Sequence, residues 1–339
     1  MKKLLILCAI CAFGLAAVSC TQKDTATVYS VVADETMFPG YTVFYPQDLA
    51  AFPKKDKLPI LVMSGPGCVK SAAGFRPFFE EMAAHGYLMI ALGPLTMGGF
   101  GGPRPEGAPA PGGPRPDGPR PDAAQRPAGP PAGAPAAGAP GAGAPRPMMA
   151  QNTKEEMVAA IDWAFAENER KDSPFYGKID TKNVSVMGQS CGGILCLDIM
   201  TDPRITVLTM FNTGLFNAQP GQAFGTMGSV QSEPKDQVFA RLTKPIAYFV
   251  GGTDMARPNA TDDYPYINNV PCLLAVREIE GDAHGGTFRE EKGGAFGVAA
   301  VAWLDWQLKG RKAAAAKFSG ADNMFDSDPL WIEYQHKNF

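Results

Sequence analysis

The sequence predicts an α/β protein with a mainly parallel sheet that is covered by helices on both faces. Short β-rich runs alternate along the chain with segments whose apolar residues recur at helical spacing. One of these runs, PILVMS over residues 59–64, is continuously apolar, as expected for a strand buried on both faces. The length of 339 residues fits one such domain with additional segments.

Each predicted element follows from its local pattern. Apolar and β-branched runs predict strands at residues 41–46, 59–64, 87–92, 183–188, 205–211, 245–252 and 273–279. Apolar residues at helical spacing predict helices at residues 75–85, 154–168, 190–200 and 296–310. Gly86 stands where the first helix should stop, and Thr153 is the expected cap of the second.

The N-terminal segment has the order of a bacterial export signal. Two lysines precede an apolar run over residues 4–18, which is too short for a comfortable membrane span, and small residues come before Cys20. We therefore predict a lipoprotein signal peptide over residues 1–19, lipidation of Cys20, and anchoring to a membrane on its periplasmic or cell-surface face. A simple cleaved signal with an incidental Cys20 is the alternative.

We interpret the remaining residues 20–339 as one domain. The formal net charge of −3 becomes −5 when the two N-terminal lysines leave with the signal, so nothing indicates a nucleic-acid partner. Export to an oxidising compartment would allow disulfides among the cysteines of the body, which are Cys68, Cys191, Cys196 and Cys272.

Residues 98–149 are dense in proline, glycine and alanine and almost devoid of large apolar side chains. Such a segment buries too little surface to offset its ordering entropy, so we predict a disordered insertion in a loop of the domain. Its Pro-Arg-Pro repeats suit a solvated spacer or a contact with anionic glycans, lipids or protein. Asp117 and Asp122 interrupt the positive charge and favour the spacer.

Residues 188–192 read GQSCG, a G-x-S-x-G pattern between a predicted strand and a predicted helix. The turn that exposes the serine oxygen leaves no room for side chains beside it, which explains the glycines. We therefore predict that Ser190 is a nucleophile. A serine hydroxyl needs a base to take its proton and a third group to orient that base.

The base should be one of three histidines, because the chain has no others. His85 ends a predicted helix, where it would interact with the last carbonyl groups, and His336 lies near the C-terminus. His284 follows the last predicted strand and is flanked by small residues that would let the ring reach across a site. We predict that His284 is the base.

The third group should be an aspartate between the nucleophile and the base. Asp254 begins the loop after the predicted strand 245–252. The chain order is then Ser190, Asp254, His284, as this kind of triad requires. Asp262, Asp263 and Asp282 are competitors. Asp282 is close to His284 in sequence, and such a neighbour usually cannot reach the far ring nitrogen. We therefore predict that Asp254 orients the base.

Two backbone N–H groups should stabilise the oxyanion that forms on the substrate. Cys191 follows the nucleophile, and Cys68 lies in a glycine-rich loop after the strand 59–64, so these residues are the predicted donors. If both residues donate to one oxygen, their backbones must lie within a few ångströms of each other. This distance suits the Cα separation of a disulfide, about 5.5 Å. We predict a Cys68–Cys191 bridge, with two buried thiols as the alternative.

The other chemistry-bearing residues indicate no cofactor. Outside the predicted signal peptide no histidine pair or CxxC has metal-ligand spacing, and no glycine loop precedes a phosphate-binding lysine, so we predict neither a metal nor an organic cofactor. Cys196 and Cys272 are interpreted as core residues. Trp303 and Trp306 are interpreted as packing of the last helix against the sheet.

Seven blocks of sequence carry a resemblance to a known family. They are GYTVFYP, SGPGC, EEMAAHGYLMIALGP, YGKIDTKNVSVMGQSCGG, YFVGGTD, GDAHGG and AVAWLDWQLKG. In this order they resemble the dienelactone-hydrolase and cutinase-like polyesterase branch of the α/β hydrolases, especially secreted members that contain GQSCGG. The resemblance implies the α/β-hydrolase fold and cofactor-free hydrolysis of carboxylic esters through an acyl-enzyme on Ser190. Gln189 replaces the aromatic residue of polyester-degrading members, which argues against synthetic polyesters.

The expected substrate is a small-molecule or glycan-linked ester, and the loop over residues 212–237 is expected to set its selectivity. Two other functions stay open. One is a surface-anchored binding protein on a hydrolase scaffold, and the other is a serine amidase or peptidase with the same triad. The presence of all three residues in the required order favours hydrolysis over binding.

Overall fold

The computed structural model describes residues 27–50, 52, 56–95, 151–217, 229–320 and 323–339. The predicted signal peptide over residues 1–19, the predicted lipidation site Cys20 and the predicted insertion over residues 98–149 all lie outside the described residues. Within the described ranges, no helix has both the length and the apolar character needed to cross a membrane.

Nine strands of the described chain form one mixed sheet. The strands are β1 (Val31–Asp34), β2 (Tyr41–Pro46), β3 (Leu58–Ser64), β4 (Leu88–Leu92), β5 (Ile179–Gln189), β6 (Val207–Phe211), β7 (Ile246–Gly251), β8 (Cys272–Arg277) and β9 (Trp331–Lys337). Their spatial order is β1-β2-β4-β3-β5-β6-β7-β8-β9. Every neighbouring pair from β4 to β8 is parallel, whereas β1, β2 and β9 join through antiparallel pairs. The predicted α/β class with a mainly parallel sheet is confirmed.

Helices connect the strands. In the described chain they are α1 (Arg76–Ala84), α2 (Lys154–Glu169), α3 (Cys191–Asp198), α4 (Lys235–Ala240), α5 (Arg257–Asp263), α6 (Gly294–Gln307), α7 (Lys312–Ala315) and α8 (Met324–Ser327). Thr153 caps α2 as predicted, because its side chain accepts a hydrogen bond from the Glu156 N–H and the Glu156 side chain accepts one from the Thr153 N–H.

Both faces of the sheet are buried. Successive side chains of a strand point to opposite faces, and all seven residues of β3 are buried. Ile60 and Val62 belong to an apolar cluster that contains residues of α2 and α3. Leu61 and Met63 belong to a second cluster, which contains residues of α1 and α6. The continuous apolar run of β3 is therefore the direct consequence of two layers of helices.

The sequence patterns missed the outer strands β1 and β9. Both lie at the edges of the sheet, where their side chains are mostly half-buried or exposed, so neither carries a continuous apolar run. The predicted strand at residues 183–188 is shorter than β5, because Asp180, Thr181 and Lys182 near the start of β5 are polar. The segments that carry the predicted triad and oxyanion residues leave the carboxyl ends of the parallel strands β3, β5, β7 and β8.

Candidate active site

The site is built on the turn between β5 and α3. Ser190 occupies this turn with φ 54° and ψ −121°, a region that non-glycine residues rarely adopt. A Cβ atom on Gly188 would lie 2.2 Å from the carbonyl carbon of Gly192, and a Cβ atom on Gly192 would lie 2.0 Å from the backbone oxygen of Ser64. The glycines of the motif are therefore required by close backbone contact, and the strained turn points the serine oxygen out of the sheet edge.

The three residues predicted to form a triad lie in contact. The ring Nε2 of His284 is 3.0 Å from Ser190 Oγ, and its Nδ1 is 2.8 Å from Asp254 Oδ2. The Asp254 side chain is fully buried, and its other oxygen accepts the backbone N–H of Ala256. With Nδ1 donating to Asp254, Nε2 is left as an acceptor that can take the serine proton.

The competing aspartates are engaged elsewhere. Asp262 and Asp263 both pair with Lys235, at 2.9 and 2.7 Å from its Nζ. Asp282 accepts the backbone N–H of Gly285 at 2.9 Å, which tightens its own loop. Among the four candidates, Asp254 is the one whose carboxylate contacts the ring of His284.

The other two histidines are also placed away from the turn at Ser190. His85 follows the last residue of α1, and its Nε2 lies 3.0 Å from the carboxylate of Glu81. His336 lies on the edge strand β9, where its ring stacks against Tyr334 and Phe339. His284 is thus the histidine that the fold brings to the nucleophile position.

Asp254 also sets the charge state of the histidine. Its hydrogen bond and negative charge raise the pKa of His284 above the ordinary 6.5, although partial burial of the ring opposes this rise. The carboxylate of Asp282 raises the pKa further through its charge. The site therefore stabilises the imidazolium that forms when His284 accepts a proton.

Three polar residues that the sequence patterns missed hold the two loops of the site together. Asn212 donates through Nδ2 to the backbone oxygens of Ala283 and His284, both at 2.9 Å. Gln189 donates to the same oxygen of His284 at 2.7 Å, and Thr213 donates to the backbone oxygen of Ser190 at 2.7 Å. Only their positions in the sequence could have indicated a role in the site. Gln189 lies inside the serine motif, and Asn212 and Thr213 directly follow a strand.

The predicted Cys68–Cys191 disulfide is present, with a Cα separation of 5.3 Å. Cys191 is the first residue of α3, so its N–H has no acceptor within the helix. Cys68 ends a short 3-10 turn after β3 and has a φ of 52°. The bridge places the two residues predicted to bind the oxyanion beside each other. Cys196 and Cys272 are buried free thiols, as predicted.

Two cavities meet at His284. The first, about 40 Å³, borders Ser190, and its apolar lining includes Ile194, Phe216 and Met255. The second, about 150 Å³, also borders His284, and its lining includes Gln189, Asp282 and Arg289. Residues 218–228 of the loop expected to set selectivity lie outside the described part of the chain. The site thus offers two mainly apolar spaces, of which the larger also borders polar side chains.

No protein-family model and no curated protein matches the chain. The interpretation of the site therefore rests on its own geometry.

Removal of the disulfide tests how strongly the two loops depend on it. Cys68→Ala and Cys191→Ala should each lower the free energy of unfolding by about 2–5 kcal/mol, because the bridge closes a loop of 123 residues. The double variant should lose little more than either single variant, since both break the same bond. Urea unfolding measures all three, and losses that simply add would contradict a shared bridge.

The pKa of His284 tests the contact with Asp254. Titration of the ring by NMR should give a value above 6.5, and Asp254→Asn should move it down toward that value because the main stabilising charge is lost. Asp282→Asn is the matched control and should lower the pKa less, because Asp282 acts through charge alone. An unchanged pKa in Asp254→Asn would refute the assignment.

Proposed function

We propose that the protein is a serine hydrolase that cleaves carboxylic esters through an acyl-enzyme on Ser190. The observation that carries the proposal is the chain of contacts from Ser190 Oγ to His284 Nε2, at 3.0 Å, and from His284 Nδ1 to Asp254, at 2.8 Å. A nucleophile, a base and an orienting carboxylate within hydrogen-bond reach are the parts that nucleophilic acyl transfer requires.

We propose further that the scaffold is an α/β-hydrolase fold of the dienelactone-hydrolase and cutinase-like branch. Support comes from the strand order, in which β2 pairs antiparallel with β4. Crossover connections then join the parallel strands from β3 through β5, β6 and β7 to β8. The candidate nucleophile follows β5 on a strained turn, the acid follows β7 and the base follows β8, which is the chain order of this fold. The sequence blocks described above favour the same branch.

In the proposed reaction, Ser190 Oγ attacks the ester carbonyl carbon while His284 Nε2 takes the hydroxyl proton. The oxyanion of the tetrahedral intermediate accepts hydrogen bonds from the backbone N–H groups of Cys68 and Cys191. His284 then gives its proton to the alcohol oxygen as the ester C–O bond breaks. A water molecule, deprotonated by His284, attacks the acyl-enzyme, and His284 gives this proton to Ser190 Oγ as the acyl C–O bond breaks and the acid leaves.

The two cavities suggest how an ester would lie. The space of about 40 Å³ between Ile194, Phe216 and Met255 suits a short apolar acyl group. The space of about 150 Å³ beside Gln189 and Arg289 would take a larger alcohol that carries hydroxyl groups. We therefore propose short-chain acyl esters of a small molecule or a glycan as the substrate class.

We also propose that the protein is exported and anchored to a membrane through a lipid on Cys20. The order of charged, apolar and small residues before Cys20 supports this. The Cys68–Cys191 disulfide adds independent support, because structural disulfides persist mainly in oxidising compartments.

Hydrolysis of p-nitrophenyl acetate, butyrate and octanoate tests the function. The wild type should prefer the shortest acyl chain, Ser190→Ala should fall to background, and Asp254→Asn should lose about 10⁴-fold in kcat through the wrong histidine tautomer. The rate should rise with pH through the raised pKa of His284, because the neutral ring is the base. Asp282→Asn, the matched control, should keep most of the activity.

Two outcomes would favour the other functions. Wild type no faster than Ser190→Ala on every ester, with turnover of the corresponding anilides, would make the protein an amidase. Absence of turnover on both, with a folded protein, would favour a binding role.

A further inference from the structure

The loop that carries Cys68 is tied to the residues just before α2. We call residues 65–72, which follow β3, the Cys68 loop. Asn152 donates its backbone N–H to the carbonyl oxygen of Cys68 and its side-chain Nδ2 to the carbonyl oxygen of Val69, at 3.1 Å for the latter. The same Nδ2 donates to Ser64 Oγ, also at 3.1 Å. One residue therefore holds both the beginning and the end of the turn around Cys68.

The neighbouring contacts reinforce this attachment. Val69 forms an isolated antiparallel bridge with Gln151, and the Gln151 side chain donates to the backbone oxygen of Gly67. Asn152 itself is 2% exposed, so its amide bonds are shielded from competing water. The two consecutive residues thus clamp the Cys68 loop from one side, while the disulfide to Cys191 fixes it from the other.

Cys68 needs such a clamp because its backbone is unfavourable. Its φ of 52° lies in the left-handed region, which costs a residue with a Cβ roughly 1–2 kcal/mol. A residue stays in this conformation when the surrounding contacts over-determine it. The disulfide constrains the Cys68 side chain, and Gln151 binds the carbonyl oxygen of Gly67, which lies in the same peptide as the Cys68 N–H. Asn152 binds the carbonyl oxygens of the next two peptides, so the contacts of Gln151 and Asn152 together fix the peptide planes around Cys68.

We propose that Asn152 is a positioning residue that aims the backbone N–H of Cys68 at the oxyanion. The proposal rests on the proposed ester hydrolysis, in which that N–H is one of two donors. Asn152 does not contact the reacting atoms. It acts through the carbonyl oxygens of Cys68 and Val69 and through Ser64, whose own backbone oxygen packs against Gly192 beside the nucleophile.

The kinetic consequence is specific. Donors of an oxyanion hole are worth most in the transition state, when the negative charge has developed on the substrate oxygen. Loss of a whole donor typically lowers kcat by about 10²–10³-fold, so a displaced donor should lower kcat by about tenfold. Binding of the uncharged ester in the ground state should change little, which leaves KM nearly constant.

The experiment compares Asn152→Ala and Asn152→Asp with the wild type in the full chain. Both variants remove the side-chain donor, and the carboxylate of the second also faces the oxygen of Val69. We expect kcat to fall about tenfold or more in each, with KM within about twofold. Ser64→Ala, which removes one acceptor and leaves the bond to Val69, should give a smaller loss.

A second readout separates positioning from stability. An alkyl boronic acid forms a tetrahedral adduct with an active serine, and one of its oxygens would occupy the oxyanion hole. Its inhibition constant should rise in Asn152→Ala by about the same factor as kcat falls. Asn323→Ala is the matched control, because Asn323 is also a buried amide with hydrogen bonds to backbone but lies before α8. It should lower stability without changing kcat or the inhibition constant.

The possible failures are distinguishable. An Asn152 variant that is folded and disulfide-bonded, and that keeps wild-type kcat and boronate inhibition, overturns the positioning role while ester hydrolysis stands. A parallel loss of kcat in Asn323→Ala would assign the effect to stability and also overturn it. A wild type that is no more active than Ser190→Ala refutes the proposed function itself, and the role of Asn152 falls with it.

Discussion

The structure of the site depends on one steric constraint, the close packing of the turn between β5 and α3 against the end of β3. Gly188 contacts Gly192 across the turn, and Gly192 contacts the backbone oxygen of Ser64, so neither position has room for a Cβ atom. This packing keeps Ser190 at a positive φ and brings the first residue of α3 beside the loop that follows β3. The disulfide then joins segments that are already adjacent.

The remaining contacts hold the loops in register with that turn. Asn212, at the end of β6, binds the backbone at Ala283 and His284 and also accepts the N–H of Gly251 at 2.8 Å. It therefore links the loops after β6, β7 and β8 through a single amide. Such a connection keeps His284 between Ser190 and Asp254, where an imidazole on a free loop would sample many orientations.

Much of this could be predicted from the sequence because the signals are local. The apolar run of β3, the capping residue Thr153 and the glycines around Ser190 each reflect a constraint within a few residues of the chain. The order of the candidate triad follows from the same patterns, since the loops after parallel strands meet at one edge of the sheet. The sequence has only three histidines, so few alternatives to His284 exist.

The rest could not be predicted because it depends on contacts between distant parts of the chain. Asn212 binds His284 across 72 positions, and Asn152 binds Val69 across 83, and no short pattern marks either asparagine. The edge strands β1 and β9 were also not predicted from the sequence, because strands with one neighbouring strand carry mixed apolar and polar residues. Long-range polar pairing leaves no periodicity in the sequence, and it is this pairing that supports the site.

The most direct measurement of the central claim is reaction with an alkyl fluorophosphonate, followed by peptide mass mapping. An activated serine attacks phosphorus and expels fluoride, so the wild type should gain one phosphonyl group, on the peptide that contains Ser190. His284→Ala should react far more slowly, because the proton acceptor 3.0 Å from Ser190 Oγ is gone. No adduct, or an adduct on another residue with equal rates in both proteins, would contradict the account.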